Sequence, residues 1–426
     1  MVEKTVLSNG LRLVMVPMQE VKSVAVLVLL RAGSRYENKE TLGLTHFYEH
    51  MVFKGTRRYP SKMDLALAVD QIGAEFNGLT SKEYTAYYIK GESRHLETAL
   101  RVLSEMICQP LLKEQDVEQE KPVIVEEINM REDNPQVKVD DTLGEVVFPN
   151  HPLGFSGAGE KETIKSYRAP DFLGFKEKFY TGENLVVVIS GKFSAASLAR
   201  NISNYFGGLP KGERGEFIPA KANFGGPSVR VINKKTDQVH LSLGFRGFPR
   251  LDDKNRPPQS LLDTVLGGGM SSRLFQKVRE EKSLAYYVDS SVSSYLDTAL
   301  FGVSAGVDKK RVGEALETIL GEIRGGEFGV GRRELRKAKD YLRGHFILSL
   351  EEPLDRAFWY GVDEVLENRL RSPEEVIKLL EKVTPGDVSR VARQIFTPQN
   401  LSLAIIGEGL EEEKLKMLLY NRFISR

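Results

Sequence analysis

One cysteine, one tryptophan and six histidines in 426 residues rule out several kinds of chemistry at once. A single cysteine, Cys108, excludes an internal disulfide and every zinc framework built from cysteine clusters, and it fits a reducing, cytoplasmic setting. Charge of one sign is also missing. The 60 Lys plus Arg are balanced by 59 Asp plus Glu, so no global field selects nucleic acid or an anionic membrane as partner. No apolar run approaches the roughly 20 residues that span a bilayer, because VKSVAVLVLLRAG (21–33) is short, β-branched and closed by glycine. That stretch reads as a buried strand. The N-terminal MVEKTVLSNGLRLVMVP has no basic segment followed by an apolar leader and instead alternates like a hairpin about Ser8-Asn9-Gly10.

What is present is enough chain for two hydrophobic cores. Residues 207–228 concentrate Gly, Pro and charge without a sustained apolar period, which predicts a linker at 213–227 between an N-terminal half, 1–212, and a C-terminal half, 228–426. The plan then starts again. SVAVLVLLRAGSR (23–35) and QVHLSLGFRGFPR (238–250) are both strands ending in an arginine-bearing turn, each followed by an apolar helix. Aligned without gaps, the two stretches place Leu261, Thr264 and Val265 opposite His46, Glu49 and His50. The chain therefore reads as two similar halves, one with a polar cluster and one without.

That cluster lies in LTHFYEHMVFKG (44–55), which holds two of the six histidines. Four residues apart on a helix, His46 and His50 share a face and can converge on one tetrahedral ion. Glu49 sits beside them, placed for a general base acting on water and not for a ligand. H-x-x-E-H is the inverted form of the commoner H-E-x-x-H zinc motif. A catalytic zinc needs a third protein ligand. The acidic stretch EQEKPVIVEEINMRED (118–133) offers Glu120, Glu126 and Glu127, and helical spacing does not choose among them. Manganese or cobalt suits the same nitrogen and oxygen set.

With this motif and the acidic stretch the sequence resembles the pitrilysin family of inverted zinc metallopeptidases, which includes mitochondrial processing peptidase, insulin-degrading enzyme and bacterial relatives. The resemblance implies that the third ligand is Glu127, 77 residues after His50, and that Glu120, seven residues earlier, is needed for activity from beside the ligands. Residues seven apart share a helical face, although Pro122 between them predicts a kink or a helix start. GAEFNGLTSKEYTAYYI (73–89) is similar to the family's substrate-binding edge strand, which makes Asn77 and Gly78 partners for an extended peptide; Gly78 stands where the family usually has alanine. Without the resemblance, Asn77-Gly78 reads as a hairpin corner. LGGGMSSRLFQKVREEKSLAYYV (266–288) matches a family segment whose Arg and Tyr, here Arg279 and Tyr286, hold substrate carbonyls and stabilise the tetrahedral intermediate.

The implied fold is α+β, with two similar halves, each a mixed and mainly antiparallel sheet packed with helices, facing each other across a cavity. The implied function is a cytoplasmic zinc endopeptidase with one Zn2+ per chain, hydrolysing short or unfolded peptides in an enclosed chamber. A chain of this length resembles the family's shorter members, which build the chamber by pairing subunits, and that resemblance implies a homodimer. The alternative is a relative that binds peptides without cleaving them, or a presequence-processing enzyme of narrow specificity.

Overall fold

A computed structural model describes residues 2–220, 228–324 and 328–421; residues 221–227 of the expected linker lie outside the described residues. The chain forms two compact units, each built on one sheet. In the first, β1 (Glu3–Val6), β2 (Arg12–Pro17), β3 (Ser23–Leu30), β4 (Glu75–Thr80), β5 (Thr85–Glu92) and β6 (Leu185–Gly191) are ordered β1-β2-β6-β3-β5-β4. In the second, β7 (Ser228–Asn233), β8 (Val239–Gly247), β9 (Ala285–Ser294), β10 (Ala299–Val307) and β11 (Ser402–Gly407) are ordered β7-β11-β8-β10-β9.

The two orders are the same once β1 is set aside. Each sheet has one parallel pair, β2 with β6 and β7 with β11, and antiparallel pairing elsewhere. In both units the central strand is followed by a helix, Leu44–Met51 after β3 and Arg256–Gly267 after β8. The internal repeat and the mixed α+β plan expected from the sequence are therefore present.

The first strands form the expected hairpin, with β1 and β2 pairing antiparallel about Ser8-Asn9-Gly10. β3 is apolar without alternation because both its faces are covered. Val24, Val26, Val28 and Leu30 join the core of the first unit, while Leu27 and Leu29 meet the Pro353–Glu367 helix at Gly361. Helix starts follow the side chains the sequence supplies. Ser61 and Thr384 each close a capping box, with Asp64 and Asp387, ahead of the Lys62–Asp70 and Pro385–Ile395 helices.

The units depart from the linear division at 213–227. The passage from one to the other at 218–219 falls in that stretch, but residues 130–155 belong to the second unit and 347–371 to the first. The exchange is reciprocal. The Pro135–Val147 helix buries Val139, Leu143 and Val147 with Ala404 and Ile406 of β11, and the Pro353–Glu367 helix packs on β3 and β6. An apolar helical face specifies burial but not which of two similar sheets receives it, so no period in the sequence reveals the exchange.

Candidate metal centre

The Leu44–Met51 helix has two turns and no cap of its own, since Gly43 precedes it in the left-handed region at φ 81 with no side chain to offer. Its first backbone donors are satisfied from outside. The Glu37 carboxylate accepts from Gly43 N at 2.9 Å and Thr45 N at 2.8 Å. Burial raises the Glu37 carboxyl to about 7, with the Thr45 and Gly43 hydrogen bonds working in the opposite direction. Phe47, Tyr48 and Met51 face the core, and Phe47 and Tyr48 pack around Phe172. With that face anchored, His46 and His50 fall on the other side, their ring centroids 4.7 Å apart.

The acidic helix, Glu114–Asp133, supplies the remaining groups. It runs through Pro122 without ending, because the proline removes a single backbone donor from a helix already two turns long. Pro122 therefore does not start a helix, one of the two expectations for it, and Glu120 and Glu127 come from one helix. Glu127 Oε2 lies 3.6 Å from His46 Nε2 and 3.7 Å from His50 Nε2. Ligand atoms of the three residues all fall within 4.8 Å of one another. Three donors about 2.0 to 2.1 Å from one tetrahedral ion would lie about 3.3 Å apart, so the observed triangle fits a zinc ion after small side-chain adjustments. Glu126, which helical spacing left equivalent, instead accepts from Asn129 Nδ2 at 3.1 Å.

Glu120 is buried and takes a different part. His50 Nδ1 donates to Glu120 Oε1 at 2.9 Å, and Lys54 Nζ bonds Glu120 Oε2. A carboxylate only accepts, so this contact puts the His50 proton on Nδ1 and leaves the Nε2 lone pair facing Glu127. Burial works against charge on both partners. On His50 it is outweighed by the Glu120 hydrogen bond and by Glu127 and Glu49, and the imidazole pKa is raised; on Glu120 it is outweighed by His50 and Lys54, and the carboxyl pKa is lowered.

Glu49 points across to β4. It is 9% exposed, and Thr80 Oγ1 donates to its Oε2 at 2.7 Å. Burial raises the Glu49 carboxyl, the Thr80 hydrogen bond and His50 lower it, and Glu127 raises it further. A carboxylate kept above its ordinary range next to a metal-ligand triangle is suited to accept and return a proton.

Asn77 and Gly78 lie in the middle of β4, at the edge of the sheet, and not at a hairpin corner. Asn77 Oδ1 accepts from Gly78 N at 2.9 Å. Arg279 and Tyr286 are brought together in the second unit, at a one-turn π-helix, Phe275–Glu281, and at the start of the edge strand β9. The Arg279 guanidinium is 5.9 Å from the Tyr286 ring centroid and 4.8 Å from that of Phe275, and Tyr286 is 74% exposed. Opposite the motif helix in the repeat, Leu261 and Val265 are core residues, and Thr264 Oγ1 donates to Ser260 O at 2.9 Å. Sequence reasoning missed Glu37, Lys54 and Thr80. Lys54 and Thr80 lie inside the two motif stretches, but their partners are fixed only by tertiary contact.

Comparison with known proteins bears on the family and the fold. Residues 13–160 match the profile of the insulinase family (peptidase family M16), and residues 167–342 match that of the peptidase M16 inactive domain. The uncharacterized zinc protease YmxG of Bacillus subtilis is 35% identical over 416 residues, covering 96% of this chain and 98% of that protein. An uncharacterized zinc protease of Streptomyces coelicolor is 34% identical, covering 95% and 89%. Among solved structures, a protease from Helicobacter pylori superposes with a TM-score of 0.88 at 23% identity, covering 96% of this chain and 99% of that one, and so shares the fold. Among the described residues no helix is long and apolar enough to cross a membrane. Spanned nearly end to end by such relatives and matched in both halves, the chain belongs to peptidase family M16, the pitrilysin-type family its motifs resemble.

Proposed function

We propose that this chain is a zinc-dependent endopeptidase that hydrolyses short or unfolded peptides. The observation that carries the reading is the triangle of His46 Nε2, His50 Nε2 and Glu127 Oε2, with the buried carboxylate of Glu49 on the same helix as the two imidazoles. His46, His50 and Glu127 would hold zinc, which would supply Lewis acidity toward the scissile carbonyl and lower the pKa of water there to about 7. Glu49 accepts a proton from the attacking water and returns it to the leaving amine as the peptide C–N bond breaks. Glu120 holds the His50 tautomer, and Lys54 holds Glu120. β4 has a free side, along which an extended peptide can pair through its main chain with little sequence preference. Arg279 and Tyr286 are assigned to substrate carbonyls and to the negative charge that develops on the carbonyl oxygen.

The reading extends to one Zn2+ per chain, a cytoplasmic setting and a homodimer; light scattering that finds only monomer at working concentration contradicts the dimer. The function itself is tested by incubating the purified protein with a library of unstructured peptides, with zinc, with a chelator, and with zinc restored. Cleavage that stops with chelator and returns with zinc supports it. A protein that binds peptide and zinc but cuts nothing contradicts it and favours a peptide-holding role.

A further inference from the structure

The Glu49 carboxylate rests in a seat provided by neither the metal ligands nor its own helix. By the two-residue period of a strand, Gly78 and Thr80 of β4 present the same face, and the motif helix packs against that strand. Thr80 holds Oε2 of Glu49 by its hydroxyl. At Gly78, the place a side chain would occupy is taken by the same carboxylate. A Cβ built there would lie 2.8 Å from Glu49 Oε1, 3.0 Å from its Cγ and 3.2 Å from its Cδ. The free end of a glutamate yields more easily than a strand, so a methyl group at position 78 would be met by a small shift of the carboxylate with the backbone in place. The strand is itself well fixed. Beyond Thr80, the turn that leads into β5 is tied to the turn after β3 by Ser34 N to Ser81 O at 3.1 Å, by Arg35 N to Lys82 O at 2.8 Å, and by the buried Arg35–Glu83 ion pair at 2.6 Å.

We infer that Thr80 is the positioning residue of the Glu49 carboxylate: its hydroxyl fixes one oxygen on the strand and leaves the other to serve as proton acceptor. The inference rests on the hydrolase reading above, and it concerns geometry at a group about which metal ligation says nothing, since Thr80 is not part of the His46, His50 and Glu127 set. A carboxylate without that seat samples rotations in which its acceptor oxygen is misplaced, and displacement by about 1 Å costs on the order of a hundredfold in rate.

The test uses Thr80→Val and Thr80→Ser in the full chain. Zinc affinity is read by competition with a chromogenic chelator, kcat and KM on an unstructured peptide, and the position of Glu49 in crystal structures of the zinc-free proteins. The expected result is a loss of about tenfold to a hundredfold in kcat for Thr80→Val, with KM and zinc affinity within about twofold of the parent. Thr80→Ser should recover most of the rate. Adding Thr80→Val to Glu49→Gln should cost nothing more, because the group being positioned is already disabled. A Thr80→Val variant with parental kcat overturns the inference, as does a loss that appears in zinc affinity or thermal stability and not in kcat. If the parent binds zinc but cleaves nothing, the hydrolase reading fails, and the crystal structures still decide the seat: an unmoved Glu49 in Thr80→Val overturns it.

Discussion

β3 and β8 lie in the middle of equivalent sheets, and the helices that follow them show how one fold position takes two different parts. After β8 the helix is twelve residues long, begins at Arg256 with Pro257 and Pro258 in its first turn, and its inward positions Leu261 and Val265 are core. After β3 the helix is eight residues long, is capped by a carboxylate six residues upstream of Gly43, and keeps His46 and His50 off the core. The second unit uses the position for stability. The first gives up part of that apolar surface and recovers anchorage through Phe47, Tyr48, Met51 and Glu37. A polar cluster at this position therefore requires a supporting set of contacts that the other helix does not need.

The sharpest way to break the comparison is to exchange what each helix does. Glu49→Gln should leave zinc bound and reduce kcat by about 10² to 10⁴-fold, the range of a lost general base. Thr264→Ala, at the equivalent position, should leave kcat within about twofold, since its hydroxyl only meets Ser260 O. Peptide cleavage assays on the two variants check both. Next in size, His50→Ala should abolish stoichiometric zinc in metal analysis while the protein stays folded, whereas Leu261→Ala should leave zinc content intact and cost about 2 to 5 kcal/mol by denaturant unfolding.

The exchanged helices carry the comparison into packing. A Cβ at Gly361 would lie 2.3 Å from Leu29 Cδ1 and 2.9 Å from Val188 Cγ2, and one at Gly244 would lie 2.8 Å from Leu143 Cδ1. Overpacking of this kind costs about 1 to 3 kcal/mol. Gly361→Ala should be the more damaging of the two in thermal unfolding, because its neighbours stand closer on two strands. The last effect is electrostatic. Burial raises the Asp263 carboxyl to about 7, the Ser290 hydroxyl opposes this, and Asp289 adds to it. A folded-state pKa above the ordinary 3.8 means that folding favours the protonated form. The contribution is complete below about pH 4 and is lost as pH rises through about 7. Asp263→Asn should flatten the dependence of Tm on pH between about 4 and 7, and an unchanged slope contradicts the assignment.

Much of this was legible in the sequence because it is written locally. The helical face of His46 and His50, the capping residues Ser61 and Thr384, and the repeat that aligns Leu261 with His46 depend on spacing along the chain. Glu127 was not legible by spacing alone, since Glu120 and Glu126 share its helix, and the resemblance to a family pointed to it. The structure gives each of the three a different neighbour: Glu126 meets Asn129, Glu120 meets His50 Nδ1 and Lys54, and Glu127 meets the two Nε2 atoms. The reciprocal exchange of the 135–147 and 353–367 helices was not legible, because two sheets of the same order present alike apolar surfaces. Nor was the contact of Thr80 with Glu49, which joins residues from a strand and a helix through a register that only the folded sheet sets.

The most direct measurement of the central claim is anomalous diffraction at the zinc edge from crystals of this protein grown with zinc. The account predicts one strong peak per chain, about 2.0 to 2.2 Å from His46 Nε2, His50 Nε2 and a Glu127 carboxylate oxygen. A crystal with no peak at these three atoms, or with Glu127 turned away from the histidines, contradicts it.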